Sequence, residues 1–96
     1  MVTDPGLLIL ASLADGDKHG YAIILDVHQF SGVRLGAGTL YGAITRLEEA
    51  GWIKALDSAD RRKPYRLTAL GKRALEEQTS GMDRVVKTAR RRLRTV

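Results

Sequence analysis

The residues best suited to chemistry with a partner lie in the segment from Gly38 to Gly51, whose spacing predicts a short helix. The first two turns carry small polar groups, an aromatic hydroxyl and an arginine on one side: Thr39, Tyr41, Thr45 and Arg46. Carboxylates come only at the far end, as Glu48 and Glu49. Free N–H groups and the helix dipole favour phosphate at a helix N-terminus. This acid-free polar tip is typical of a helix that enters the major groove of DNA.

The opposite side of this third helix is apolar, which indicates a face packed on a core. Its members recur at helical spacing: Leu40, Ala43, Ile44 and Leu47. A first helix is predicted from Asp4-Pro5, because Asp can cap free N–H groups and Pro is tolerated at the first helical position. A second helix begins near Lys18-His19-Gly20 and runs to about Phe30. Its predicted buried stripe consists of Ile23, Ile24, Val27 and Phe30.

The apolar pattern changes to alternation over residues 52–56 and 65–67, which predicts two strands. The polar loop between them carries Arg61, Arg62 and Lys63 at the tip of the hairpin. A capping Thr68 then predicts a long final helix. This order predicts a mainly α fold with a small β-hairpin. It is a winged helix-turn-helix over residues 1–68 plus a C-terminal dimerisation helix over residues 69–96, in one compact unit.

The final helix carries a heptad stripe, which is typical of a helix that packs lengthwise on another helix. The stripe alternates spacings of four and three residues: Leu75, Thr79, Met82, Val86, Ala89, Leu93 and Val96. A helix of about 25 residues is roughly 37 Å long at 1.5 Å per residue. A domain of 96 residues has too small a core to cover it. We therefore predict a homodimer joined through these helices.

Composition narrows the choice of partner and compartment. Sixteen Lys or Arg oppose eleven acids, giving a net charge of +5. Arginine suits bidentate contacts to phosphate and guanine. The apolar run of residues 7–13 is too short to span a bilayer and lacks the preceding cations of a signal peptide. We expect a cytoplasmic protein with no membrane partner.

Catalysis and metal binding are not predicted. The chain has no cysteine, which excludes disulfides, thiolate zinc sites and a cysteine nucleophile. Asp26 and His28 are two residues apart and so lie on different faces of a helix. No spacing suggests a nucleophile–histidine pair or an acid–base pair. We expect no enzyme activity and no cofactor.

Four segments taken together resemble the PadR-type transcriptional regulators. They are His19-Gly20-Tyr21, Gly38-Thr39-Leu40-Tyr41, the stretch of residues 46–53 and the stretch of residues 65–71. The likeness covers roughly residues 6–75 in unbroken order. It implies a bacterial DNA-binding repressor, dimeric through its C-terminal helix, that often releases DNA when a small molecule or another signal arrives.

This chain also departs from the family pattern. Ala37 and Gly42 stand where the family often has proline. Drug-binding members of the shorter branch use a tryptophan in the C-terminal helix as an aromatic plate. Here the only tryptophan is Trp52, which precedes that helix.

Ten residues are predicted to contact DNA, and several of them have an ordinary structural alternative. They are Lys18, His19, Tyr21, Thr39, Tyr41, Thr45, Arg46, Arg61, Arg62 and Lys63. Tyr41 could instead pack against the second helix, and His19 or Thr39 could be a local cap. Arg46 could pair with Glu49, which is worth only about a few tenths of a kcal/mol. The basic wing tip could be a solvated loop, but a wing beside a recognition helix favours DNA.

Two further functions remain open from the sequence. One is a protein-interaction module that binds a partner through its hairpin. The other is a small-molecule carrier that uses the space between C-terminal helices. Neither explains a basic wing beside an acid-free helix tip. The sequence therefore favours a sequence-specific DNA-binding regulator that acts as a homodimer on double-stranded DNA.

Overall fold

A computed structural model describes residues 3–59 and 61–95 of the chain. Four helices surround a small antiparallel sheet, and the predicted mainly α, winged-helix fold is confirmed. The elements are α1 (Pro5–Leu13), β1 (Lys18–His19), α2 (Gly20–Ser31), α3 (Ala37–Glu49), β2 (Ile53–Ala55), β3 (Pro64–Leu67) and α4 (Ala69–Arg94).

Short-range signals fix the ends of these helices. The Asp4 side chain accepts a hydrogen bond from the Gly6 N–H at 3.1 Å and so caps α1. Gly32 ends α2 in the left-handed conformation, with φ of 77°, which glycine adopts at little cost. Both boundaries agree with the sequence predictions.

The sheet has one strand more than the predicted hairpin. Strand β3 lies in the middle, with β2 on one side and β1 on the other. In β1, Lys18 pairs with Tyr65 and His19 pairs with Pro64. The sequence placed Lys18 and His19 at the start of the second helix. Two residues are too few to show an alternating pattern, so this strand becomes visible only from its pairing partner.

The core lies where α1, α2 and α3 meet. Ile9, Leu10, Ile23 and Leu40 are fully buried there, and the predicted core face of α3 is confirmed. Phe30 is different, because its prediction as a buried residue is wrong for the single chain: it is 50 % exposed. Its ring lies at an apolar hollow bounded by α1 and α4, which leaves one side uncovered.

A single tight junction attaches the wing to α4. The Thr68 N–H donates to the carbonyl of Trp52 at 3.0 Å, and the Thr68 hydroxyl donates to the carbonyl of Gly51 at 2.6 Å. The same hydroxyl accepts from the Gly71 N–H at 3.0 Å and so caps α4, as predicted. A Cβ on Gly71 would lie 2.0 Å from the Trp52 carbonyl oxygen, so only glycine fits.

The far half of α4 extends beyond this core, and the molecule measures 57 × 26 × 20 Å. Leu93 near its end is 75 % exposed. Over residues 3–59 and 61–95, no helix is both long and apolar enough to cross a membrane. Within the same residues, no cluster of three or more His, Asp or Glu is placed to hold a metal ion.

Candidate nucleic-acid interface

A cleft of about 400 Å³ collects side chains from the start of α2, from α3 and from both ends of the wing loop. All three tyrosines of the chain and three cations line it. The full lining is His19, Gly20, Tyr21, Tyr41, Arg61, Arg62, Lys63 and Tyr65. Hydroxyl, imidazole, ammonium and guanidinium groups are the donors that contact phosphate and sugar in protein–DNA complexes. The cleft therefore concentrates phosphate-binding chemistry at one opening.

The N-terminus of α3 stands beside this cleft without a side-chain cap. Its N-cap residue is Gly36, which offers no capping side chain. Thr39 is the third residue of the helix, so the alternative in which Thr39 caps the helix is wrong. The first N–H groups of an α-helix have no partner within the helix and are positioned to receive an anion.

Tyr41 has two contacts at once, one with the protein and one with solvent. Its hydroxyl oxygen lies only 2.5 Å from the place where a Cβ on Gly20 would stand. The ring therefore packs on the bare backbone at the start of α2. Even so, Tyr41 is 48 % exposed. The packing alternative and a role in binding are compatible, because Gly20 positions the ring while its outer edge remains accessible.

Two other α3 side chains extend from the same helix. The Thr45 hydroxyl donates to the Tyr41 carbonyl at 2.9 Å, which leaves its oxygen free to accept. Arg46 is exposed, and its guanidinium lies 3.7 Å from the position that a Cβ on Gly42 would occupy. No ion pair joins Arg46 to Glu49 in the described part of the chain. The arginine is consequently available to an external partner.

His19 is the N-cap of α2, as its alternative interpretation proposed. Its Nδ1 accepts a hydrogen bond from the Ala22 N–H at 3.3 Å. In the neutral ring this bond assigns the proton to Nε2. Because His19 also lines the cleft, that N–H can donate to a phosphate while the cap stays intact.

Lys18 is separate from this group. Its ammonium donates to the Asp15 carboxylate and to the Ser12 carbonyl, and its side chain is only 18 % exposed. The hydrogen bond and charge of Lys18 lower the pKa of Asp15. A contact between Lys18 and DNA would require this interaction to break.

A second ion pair secures the sheet beneath the wing. Arg66 donates from Nε and Nη2 to the two carboxylate oxygens of Asp17, at 3.1 and 2.8 Å. These bonds lower the pKa of Asp17. The pair keeps Asp17 charged above its usual titration range, and any stabilisation from it is lost as the pH falls through the lowered pKa. Arg66 thus holds β3 to the turn after α1.

Gly20 and Tyr65 are members of the cleft that reasoning from composition and spacing did not identify. Burial raises the pKa of the Tyr65 hydroxyl, and the Glu48 and Tyr41 charges raise it further. Tyr65 therefore stays a proton donor at neutral pH. A glycine directly before Tyr21 at a helix start was the one available signal, since glycine marks close approach of another group.

The predicted dimerisation residues lie on one face of α4 and do not join the cleft. Leu75 is half-buried and packs against the core of its own chain. The others are exposed: Thr79, Met82, Val86, Ala89 and Leu93. Val96 lies outside the described residues. The stripe is thus largely uncovered beyond its first member.

Comparison with known proteins agrees with this architecture. The model of the transcriptional regulator PadR-like family matches residues 9–77. A crystal structure of a PadR family transcription regulator from Clostridium difficile is 32% identical with a TM-score of 0.83, covering 93% of this chain and 97% of that chain. A transcriptional regulator from Clostridium thermocellum, at 24% identity, has a TM-score of 0.80 and covers 95% and 97%. The latter similarity shows the fold alone.

A curated relative is similar over a shorter share of its own length. It is the uncharacterized 37.1 kDa protein in transposon TN4556 of Streptomyces fradiae, 44% identical over 82 residues. The match covers 85% of this chain and 24% of that protein. The chain thus spans about a quarter of the length of that relative.

Proposed function

The chain belongs to the PadR-like family of transcriptional regulators, and from this premise we propose that it is a sequence-specific DNA-binding repressor. It acts in the cytoplasm as a homodimer on a pseudo-palindromic operator, and a small molecule or another signal releases it. The observation that carries the proposal is the shared cleft. Residues far apart in sequence bring aromatic hydroxyls and wing cations to one opening beside the uncapped start of α3.

Each part of the interface has a distinct role in this proposal. Helix α3 enters the major groove, where Thr45 and Arg46 reach base edges. Tyr41 contacts the phosphate backbone from its seat on Gly20. The N–H groups near Thr39 receive a further phosphate.

The flanking groups supply most of the affinity. His19 and Tyr21 hold the backbone beside α3, while the wing cations Arg61, Arg62 and Lys63 reach the adjoining backbone or minor groove. Lys18 is the weakest member of the predicted set, because Asp15 and the Ser12 carbonyl already bind its ammonium.

Binding to the DNA upstream of the protein's own gene tests this function. We expect specific binding by fluorescence anisotropy that weakens steeply between two salt concentrations. Arg46→Ala should lower specific affinity by about 10- to 100-fold and narrow the gap between operator and random DNA. Arg73→Ala is the matched control, since Arg73 lies on α4 outside the cleft. Absence of salt-dependent binding, with Arg46→Ala tolerated, would instead support a protein-interaction module.

Gly20→Ala should weaken operator binding with little change in stability. The new Cβ would stand 2.5 Å from the Tyr41 hydroxyl and 3.2 Å from a Leu40 methyl group. The end of the exposed Tyr41 ring can swing away, so the cost falls on the DNA contact rather than on the core. We expect a loss of about tenfold in affinity, the value of one good contact.

A double-mutant cycle checks whether Gly20 acts through Tyr41. In a Tyr41→Ala background, Gly20→Ala should cause no further loss of operator affinity. Additive losses would contradict the positioning role of Gly20. Thermal unfolding of the four proteins separates this effect from a change in stability.

A further inference from the structure

The apolar face of α4 borders a groove that its own chain leaves open. Two adjoining hollows of about 440 and 600 Å³ lie between α1 and α4 and share Leu7 and Met82. The half-exposed Phe30 lines one of them. We infer that this groove receives the C-terminal half of α4 from a second copy of the chain, in an antiparallel register centred on Arg84. The inference deepens the homodimer of the proposed function and rests on it.

The spacing of the stripe has this centre built into it. Leu75 and Leu93 are each nine positions from Arg84, and Thr79 and Ala89 are each five. Met82 and Val86 are each two positions away. An antiparallel copy centred there places every described stripe residue opposite another stripe residue. Parallel pairing would also cover the stripe, so charge and geometry must decide between the two.

Charge favours the antiparallel arrangement. From residue 84 to residue 94, α4 carries only cations among its charged residues: Arg84, Lys87, Arg90, Arg91, Arg92 and Arg94. Its acids all precede them, as Glu76, Glu77 and Asp83. A parallel pair would bring the two arginine-rich ends together. An antiparallel pair sets each cationic half against the acid-bearing half of the other copy.

One pair of charges defines the register. Glu76 directly follows the stripe residue Leu75, and Arg90 directly follows the stripe residue Ala89. They therefore occupy equivalent flanking positions of the heptad, where antiparallel helices form cross-pairs. Two-fold symmetry makes each pair occur twice. No ion pair engages Glu76 or Arg90 within the residues that the structure resolves into side chains.

The same register separates the two DNA-binding heads. Each head precedes α4, so antiparallel helices place the heads at opposite ends of the pair. The two copies of Leu75 would be about 27 Å apart along the axis, at 1.5 Å for each of the positions between Leu75 and Leu93. With the heads beyond them, this span approaches the 34–36 Å between successive major grooves. Parallel helices would crowd both heads at one end.

Introduced cysteines can determine the register, because the chain has none of its own. We expect the double variant Thr79→Cys/Ala89→Cys to form a disulfide-linked dimer under mild oxidation. Neither single variant should cross-link, since like residues would be about 15 Å apart along the axis, beyond the roughly 7 Å limit for a disulfide. Both positions are exposed, so folding should be unaffected.

A charge exchange tests the flanking pair. Glu76→Arg alone and Arg90→Glu alone should each weaken the dimer on the order of tenfold in sedimentation equilibrium, because like charges then oppose each other. The double variant Glu76→Arg/Arg90→Glu should restore the dimer. Failure of the exchange to restore it would contradict the assigned pair.

The outcomes separate the register from DNA binding. Cross-linking of either single-cysteine variant would overturn the antiparallel register, and a monomer at micromolar concentration would overturn the dimer itself. If the Thr79–Ala89 disulfide forms but the protein ignores operator DNA, the register stands and the DNA-binding proposal fails.

Discussion

Replacing Arg61, Arg62 and Lys63 together with alanine is expected to reduce operator affinity on the order of 100-fold at 0.1 M salt. The slope of log affinity against log salt should also fall by about 5. Each phosphate contact releases condensed counterions and contributes about 0.9 to this slope, and a dimer would lose six such contacts. Titrations by anisotropy at four or more salt concentrations measure both quantities.

The structure explains why these three cations act together. They line the same cleft as Tyr41 and Tyr65, and all three are exposed. No ion pair ties any of them to an acid among residues 3–59 and 61–95. They therefore pay no cost of breaking an internal contact when they meet phosphate.

The control removes the same charge from a different surface. The triple variant Arg73→Ala/Arg84→Ala/Arg91→Ala removes three cations from α4 positions that do not line the cleft. We expect this variant to retain nearly the full salt slope. Equal losses in the two triple variants would mean that net charge, rather than the wing, determines affinity.

Gly71→Ala is expected to destabilise the protein by about 3 kcal/mol or more, the upper range for overpacking of a tight site. The new methyl group would lie 2.0 Å from the Trp52 carbonyl oxygen and 2.9 Å from a Leu67 methyl group. The carbonyl belongs to the backbone and also accepts from the Thr68 N–H. It cannot move aside without breaking the junction between the wing and α4.

Gly81→Ala on the same helix is the matched control. A Cβ there meets only the end of the Arg84 side chain, at 3.8 Å. Alanine should stabilise this exposed position by roughly 0.5–1 kcal/mol, because glycine has low helix propensity. Urea unfolding at one fixed protein concentration compares the two variants. Similar midpoints for both variants would contradict the steric explanation for Gly71.

Much of this fold could be predicted because its signals are local. The Asp4 and Thr68 caps, the glycine at the end of α2 and the apolar face of α3 depend on residues a few positions apart. The features that were missed depend on distant partners. Strand β1 exists only because Tyr65 and Pro64 pair with it, and no local pattern encodes that contact.

The interface divides in the same way. The polar tip of α3 and the basic wing loop were identified from residue type and position. The role of Gly20 was not, because it depends on the Tyr41 hydroxyl about twenty residues further along the chain. Phe30 was assigned to the core from its helical spacing, but spacing does not show whether the surface it faces is covered.

The uncovered end of α4 has a consequence for the lifetime of the protein. Side chains such as Val85 and Leu93 have little surrounding structure in one copy, and a helical segment of about a dozen residues is marginal in water by itself. In an isolated copy we expect this end to fray and to become a site for proteolysis, whereas association would protect it. Scarce molecules would then be degraded faster than abundant ones, so that the cellular level of the regulator would cross a sharp threshold.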